Sequence, residues 1–303
     1  MKEGRISLSW FTVGLVLLFA SCNKSMDTFL TEDKQTSNNE TTQESTISEL
    51  DDLATTVLNS SNTSGVISGR TDVTLDDRLN CTGTTIEFSN VSADKTTGTV
   101  TVTFPADGCT DKRGNVRKGQ IIITWTGGRW FQPGSVQTIT MNGYNINGVA
   151  IEGTHYVNCI TASTNPVSIT WTISGEHSAT WPDGTTASRK VNKKRKWDHS
   201  DTDDIYTISN GPAGIYSAEG TNRHGRQFKT IITSPLIYLR SCALNNKVFI
   251  PVKGQKVVTH ISLSGKTRSM TIDFGDGQCE NTYMVTCGTV TKTLTAKNDS
   301  SAD

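Results

Sequence analysis

Neither sign of charge is in excess: 29 Lys plus Arg stand against 29 Asp plus Glu in 303 residues. A neutral chain lacks the basic surplus of a general nucleic-acid binder, so no nucleic-acid partner is expected. Long apolar runs are also missing. The run Trp10 to Ala20 holds eleven residues, too few to cross a hydrocarbon layer of roughly 30 Å as a helix. Leu and Ala are sparse, which disfavours long helices. No C-x-x-C pair occurs, which removes the zinc-ribbon and thioredoxin readings. None of the five histidines forms an H-x-x-x-H or H-E-x-x-H pair, and no G-x-S-x-G elbow is present, so neither a zinc hydrolase nor a serine hydrolase has a motif behind it. Asp273-Phe274-Gly275 matches a kinase tripeptide by letters, but no glycine-rich phosphate loop or H-R-D loop accompanies it. The chain is therefore expected not to be an enzyme, with no catalytic residue, metal or cofactor assigned.

What is present starts with an address. Lys2 and Arg5 precede the short apolar run, and Ala20-Ser21 precede Cys22. Residues 1–21 read as an export signal. Leu17 to Cys22 resembles a bacterial lipobox, with Phe19 in place of the usual Leu. The resemblance implies lipidation of Cys22, a membrane partner through that lipid, and a place on the periplasmic or surface face of a bacterial outer membrane. Residues 22–44 are polar and charged and read as a disordered tether, since such a stretch buries too little apolar surface to order itself. Ile47, Leu50, Leu53, Val57 and Leu58 fall near helical spacing, which predicts one short helix over 45–60.

From residue 80 to 296 the apolar period is two. Val100, Val102 and Phe104 alternate with threonines, and Ile121 to Thr126 continues the pattern. Asn142-Gly143 and Asn147-Gly148 are hairpin signals. Strands recur every eight to twelve residues or so with turns between them. The expected fold is all-β: an antiparallel meander forming a large curved sheet, a sandwich or an open barrel, in one sheet or two sub-sheets.

If Cys22 carries lipid, six cysteines remain, an even number in a chain bound for an oxidising compartment. Residues 84–91 and 97–104 read as two strands around a turn at 92–96. Folding that hairpin brings Cys81 and Cys109 together at its open end, within reach of a disulfide.

Two groups of side chains suggest ligands. Arg189 to Trp197 holds six basic residues in nine, among them Lys193, Lys194, Arg195 and Lys196, and ends on Trp197. It reads either as a site for an anionic polymer or lipid head group or, preferred, as an edge strand kept monomeric by charge, neutralised by the acids from Asp198 to Asp204. Trp125 and Trp171 lie in apolar strands and read as core. Trp130 and Trp181 stand beside turns and are the candidates for stacking on a glycan.

Four blocks then resemble a family of uncharacterised lipoproteins common in Bacteroidota. They are Asp107-Gly108-Cys109-Thr110 with Arg117 to Ile123; Pro133 to Val136 with Glu152-Gly153-Thr154; Asn222 to Gly225 with Ser234-Pro235-Leu236 and Arg240-Ser241-Cys242; and Ile272 to Asn281. The match spans roughly residues 80 to 290. It implies the envelope address and β architecture, and no activity. It also implies a Cys242–Cys279 bridge, which leaves Cys159 and Cys287, outside the pattern, to pair by elimination. The expected role is binding or structural: a lipid-anchored envelope protein, a surface glycan-binding module, or a β protein holding lipid or an anionic polymer.

Overall fold

The computed structural model describes residues 28–59, 76–112, 114–212 and 216–296. The export signal and Cys22 lie outside them. The fold is all-β, as the period of two predicts. A helix, α1 (Thr31–Leu58), precedes strands β1 (Thr85–Ser89), β2 (Gly98–Thr110), β3 (Val116–Thr126), β4 (Val136–Ile146) and β5 (Val149–Thr164). Then come β6 (Val167–Thr180), β7 (Thr186–His199), β8 (Asp204–Asn210), β9 (Ala218–Thr221) and β10 (Gln227–Leu239). A short helix, α2 (Arg240–Asn246), leads to β11 (Lys253–Ile261), β12 (Thr267–Asp276), β13 (Thr282–Cys287) and β14 (Val290–Thr295).

All fourteen strands belong to one antiparallel sheet in chain order, with one departure. β8 and β9 share a lane between β7 and β10. β8 pairs with Leu236–Leu239, and β9 with Gln227–Thr230. Turn chemistry sets the register. Asn147 and Gly148 both take positive φ, joining β4 to β5 with Ile146 opposite Val149. Asn142-Gly143 does not make the expected hairpin. Gly143 sits at a bulge inside β4, and the facing strand has its own shift at Gly119. A Cβ on Gly119 would lie 2.0 Å from the Gly143 carbonyl oxygen, so this close crossing needs glycine.

The largest departure from expectation is α1. It runs from Thr31, inside the stretch read as tether, rather than from 45. Asp33 opens it by accepting the Leu30 amide at 2.8 Å. Twenty of its 28 residues are buried, including Glu40, Gln43 and Glu44. The reason is the sheet, which curls around it: α1 side chains meet β3, β5, β7 and β10 through β13. Its C-terminal half packs by apolar contact. Ile47, Leu50, Leu53, Ala54, Val57 and Leu58 join Val100, Ile121, Trp125 and Ile139 in one core. Its N-terminal half is held by charge. The second helix also differs from expectation: Arg240 to Cys242 leave the strand and turn into α2, which ends at Lys247 in the left-handed region.

Two disulfides fasten the β region. Cys81–Cys109 closes the β1–β2 hairpin with Cα atoms 5.7 Å apart. The hairpin is centred on Asp94, since Thr85 faces Thr103, one residue short of Lys95, the midpoint between the two cysteines. Cys242–Cys279 ties α2 to the segment after β12. Cys159 and Cys287 are buried free thiols and do not pair. They lie on β5 and β13, strands far apart in the sheet order.

Candidate ligand-binding cavity

Strand β7 explains how the interior is built. Its residues alternate, so Arg189, Val191, Lys193, Arg195 and Trp197 face inward and are buried, while Lys190, Lys194 and Lys196 face out. The basic run is therefore not one surface. Nor is β7 an edge strand: β6 lies on one side and β8 and β9 on the other. Of the outward cations, Lys196 meets Asp198 at 2.8 Å. The inward ones meet α1.

Four of the seven acids of α1, Asp33, Glu40, Glu44 and Asp51, fall at spacings of seven, four and seven that place them along one stripe. Arg189 makes a forked contact with Glu40, its second arm at 3.1 Å, and Lys256 lies 3.4 Å from the same carboxylate. Lys193 and Lys256 both bond Glu44. Arg268 holds Asp33 through Nε at 2.9 Å and Nη2 at 2.7 Å, while His260 adds a contact at 2.9 Å. Burial opposes ionisation of Asp33, Glu40 and Glu44, yet the cations and hydrogen bonds prevail and hold all three below the usual carboxylate range. Further along, Asp51 accepts from His155 Nδ1 at 3.1 Å, and His155 Nε2 lies 2.9 Å from His177 Nδ1. Burial, then the charges on His155 and Arg189, push His177 down to about 2, so it stays neutral.

Beside the C-terminal half of α1 the packing opens into a cavity of about 740 Å³, within the range of small-molecule sites. One wall is polar: Ser45, Ser48, Glu49, Asp52 and Thr56 from α1, with Asp76 and Arg78. The opposite wall is largely apolar: Ile208 of β8, Leu239 of β10, Ala243 and Leu244 of α2, then Val248 and Phe249. Tyr206 and Tyr238 line it as well. Burial and the Glu44 charge raise Tyr238 well above the usual phenol range. Leu244 is 67% exposed and marks the mouth. Most charges in the wall are matched. Arg78 meets Asp52 at 2.9 Å and Asp76 at 2.5 Å, and Arg240 meets Asp204 at 3.0 Å. Asp77, Lys112, Arg195 and Lys247, which also line it, have no oppositely charged side chain at hydrogen-bond distance among the described residues.

The tryptophans singled out from the sequence do not form a glycan platform. Trp130 has no exposed surface and stacks on Trp171 with centroids 6.1 Å apart. Trp181 is 5% exposed, and the Arg223 guanidinium covers its ring at 4.8 Å. Trp197 is buried against Tyr206. A turn neighbour is a weak sign of exposure when a curled sheet folds its turns over its ends. The cavity itself was not legible, because its walls come from residues as much as 204 positions apart.

Among the described residues no cluster of His, Cys, Asp and Glu fits a metal ion, and no helix is long and apolar enough to cross a membrane. Neither protein-family models, curated proteins nor solved structures give a match to this chain.

Proposed function

We propose that this is an exported, lipid-anchored envelope protein that binds a small ligand without transforming it. The observation that carries the reading is the cavity beside α1, with its one polar and one apolar wall. Two disulfides support an oxidising compartment. The lipobox-like Ala20-Ser21-Cys22 supports anchoring through Cys22, and the four blocks resembling Bacteroidota lipoproteins support the same address. The wall carboxylates Asp52, Asp76 and Asp204 are each closed against an arginine, which favours binding over acid–base chemistry. Anchored at Cys22, the chain would enter α1 eight or nine residues later. The cavity residues Ser45 to Thr56 begin about 21 Å along that helix at 1.5 Å per residue, so the mouth would stand off the lipid attachment.

Two measurements test this. Cys22→Ala should leave the protein unprocessed or release it from membranes, and unchanged partitioning with no lipid mass on the N-terminal peptide would refute the anchor. A lipid and glycan screen by native mass spectrometry should yield a bound small molecule that protects Tyr206 or Tyr238 from iodination. A screen with no binder would favour the second reading, a structural envelope protein, which rests on the sheet already enclosing its own helix.

A further inference from the structure

We infer that the cavity takes an amphiphile with a single anionic head, of the alkyl carboxylate class, whose head group lies against Arg195. The inference rests on the binding reading above and names its ligand chemistry. Arg78, Arg117, Arg189 and Arg268 each hold a carboxylate at hydrogen-bond distance. Arg195 does not. Its side chain is 7% exposed, and the nearest carboxylate oxygen, Asp51 Oδ2, stands 4.0 Å away. The other oxygen of Asp51 is engaged by His155. Its Nη2 reaches only the Thr55 hydroxyl, at 3.5 Å, and its Nε has no acceptor. The guanidinium lies over Trp171 at 5.1 Å, which fixes its plane and leaves its edge to bond.

A buried guanidinium with unused donors is costly, and a carboxylate is the acceptor whose geometry matches its fork. Arg195 lines the cavity and, among the described residues that do so, is the buried cation without a carboxylate at hydrogen-bond distance, since Arg78 and Arg240 are matched. Lys112 and Lys247 also line it but are exposed, so one buried charge on the ligand is favoured over two. The rest of the wall takes a tail: Ile208, Leu239, Val248 and Phe249 are apolar and run toward exposed Leu244. A ligand of this kind places its head on Arg195, whose donors are incompletely used, and its chain on surface that gains from leaving water.

The test is titration calorimetry of the chain from Asn23 to Asp303, which contains every described residue, with dodecanoate and with dodecanol. Dodecanoate should bind at least tenfold more tightly. Arg195→Met, which keeps the stem over Trp171, should lose at least tenfold for dodecanoate and leave dodecanol unchanged. Ala243→Trp, which fills the cavity from α2, should abolish both, with its thermal midpoint reporting that the fold is intact. Equal binding of dodecanol and dodecanoate by a folded protein overturns the anionic head but leaves the cavity as a binding site. Dodecanoate bound undiminished by folded Ala243→Trp overturns the site altogether. Binding of neither ligand overturns this inference, and a ligand from the wider screen would then keep the binding reading alive.

Discussion

At Glu44 two lysines, Lys193 from β7 and Lys256 from β11, converge on one carboxylate in a place that water does not reach. A buried pair is weak evidence of net stability, because desolvation offsets much of the attraction, but half a pair is strongly unfavourable. Glu44→Leu should therefore destabilise the fold by about 3 to 5 kcal/mol in denaturant melts. Adding Lys193→Met should restore most of that loss, since Lys256 keeps its contact with Glu40 at 3.4 Å. Failure of the double variant to recover would mean that the charges specify the position of α1 and do more than balance each other. The same interior fixes the response to acid. His177 is held neutral to about 2, against 6.5 when free. Below 6.5 the unfolded chain therefore binds a proton that the folded chain refuses, and stability falls as pH drops, by up to about 1.4 kcal/mol per pH unit. Asp33, Glu40 and Glu44 have lowered folded values and add to the loss once pH falls below their unfolded values near 4. The denaturant midpoint should decline between pH 6.5 and 5, and His177→Phe should flatten that part of the curve alone.

At the scale of elements, what the sequence showed depended on how far apart the partners lie. The β1–β2 hairpin was legible because its strands, turn and cysteines sit within thirty residues, and Cys81 meets Cys109 as the folding of that turn requires. The C-terminal half of α1 was legible because its apolar stripe repeats at helical spacing. The N-terminal half was not. A polar segment judged alone has nothing to bury, and its partners Arg189, Lys193 and Lys256 stand about 150 to 215 residues away. The signal was there in two halves: acids at Asp33, Glu40, Glu44 and Asp51 on one helical stripe, and cations on one parity of β7. Read as a run, β7 looked like a charged patch; read by alternate residues, it is a strand with a charged inner face. The leftover cysteines misled for a different reason, since an even count does not oblige every thiol to pair. Burial pushes Cys159 up to about 11 and Cys287 up to about 12. In the chain from Asn23, neither should react with a thiol reagent until it is unfolded, when two thiols should label without reductant. Removing Cys81–Cys109 as a double alanine variant should cost roughly 3 to 4 kcal/mol in the chain-entropy account of a loop this long. A Cys159–Cys287 peptide in non-reducing digests would contradict both the burial and the strand order.

For the whole molecule, the arrangement makes α1 the core of a sheet that has too little of its own. Along β2 to β6 the inner face is mostly apolar and meets Leu50, Leu53 and Val57, with Arg117 and His155 as polar exceptions that reach acids of α1. Along β7 to β12 it carries Arg189, Lys193, Lys256 and Arg268, whose carboxylate partners among the described residues lie on α1. Without the helix, several buried cations would lose their partners at once, and the apolar half would face a void. Each loss of that kind is comparable to a large part of a domain's total stability. Residues 76–303 expressed alone should therefore show no cooperative unfolding transition. A synthetic peptide of residues 28–59 added in trans should restore one, with a midpoint that rises with peptide concentration as linkage requires. A peptide carrying Glu40→Gln and Glu44→Gln should need at least tenfold more material, and raised salt should weaken the native peptide little, because these pairs are shielded from solvent ions. A fragment that melts cooperatively without any peptide would show that the sheet holds its own curvature and that α1 is an insert. If the peptide is required, the proposed lipid on Cys22 would stand eight or nine residues before the element around which the sheet folds.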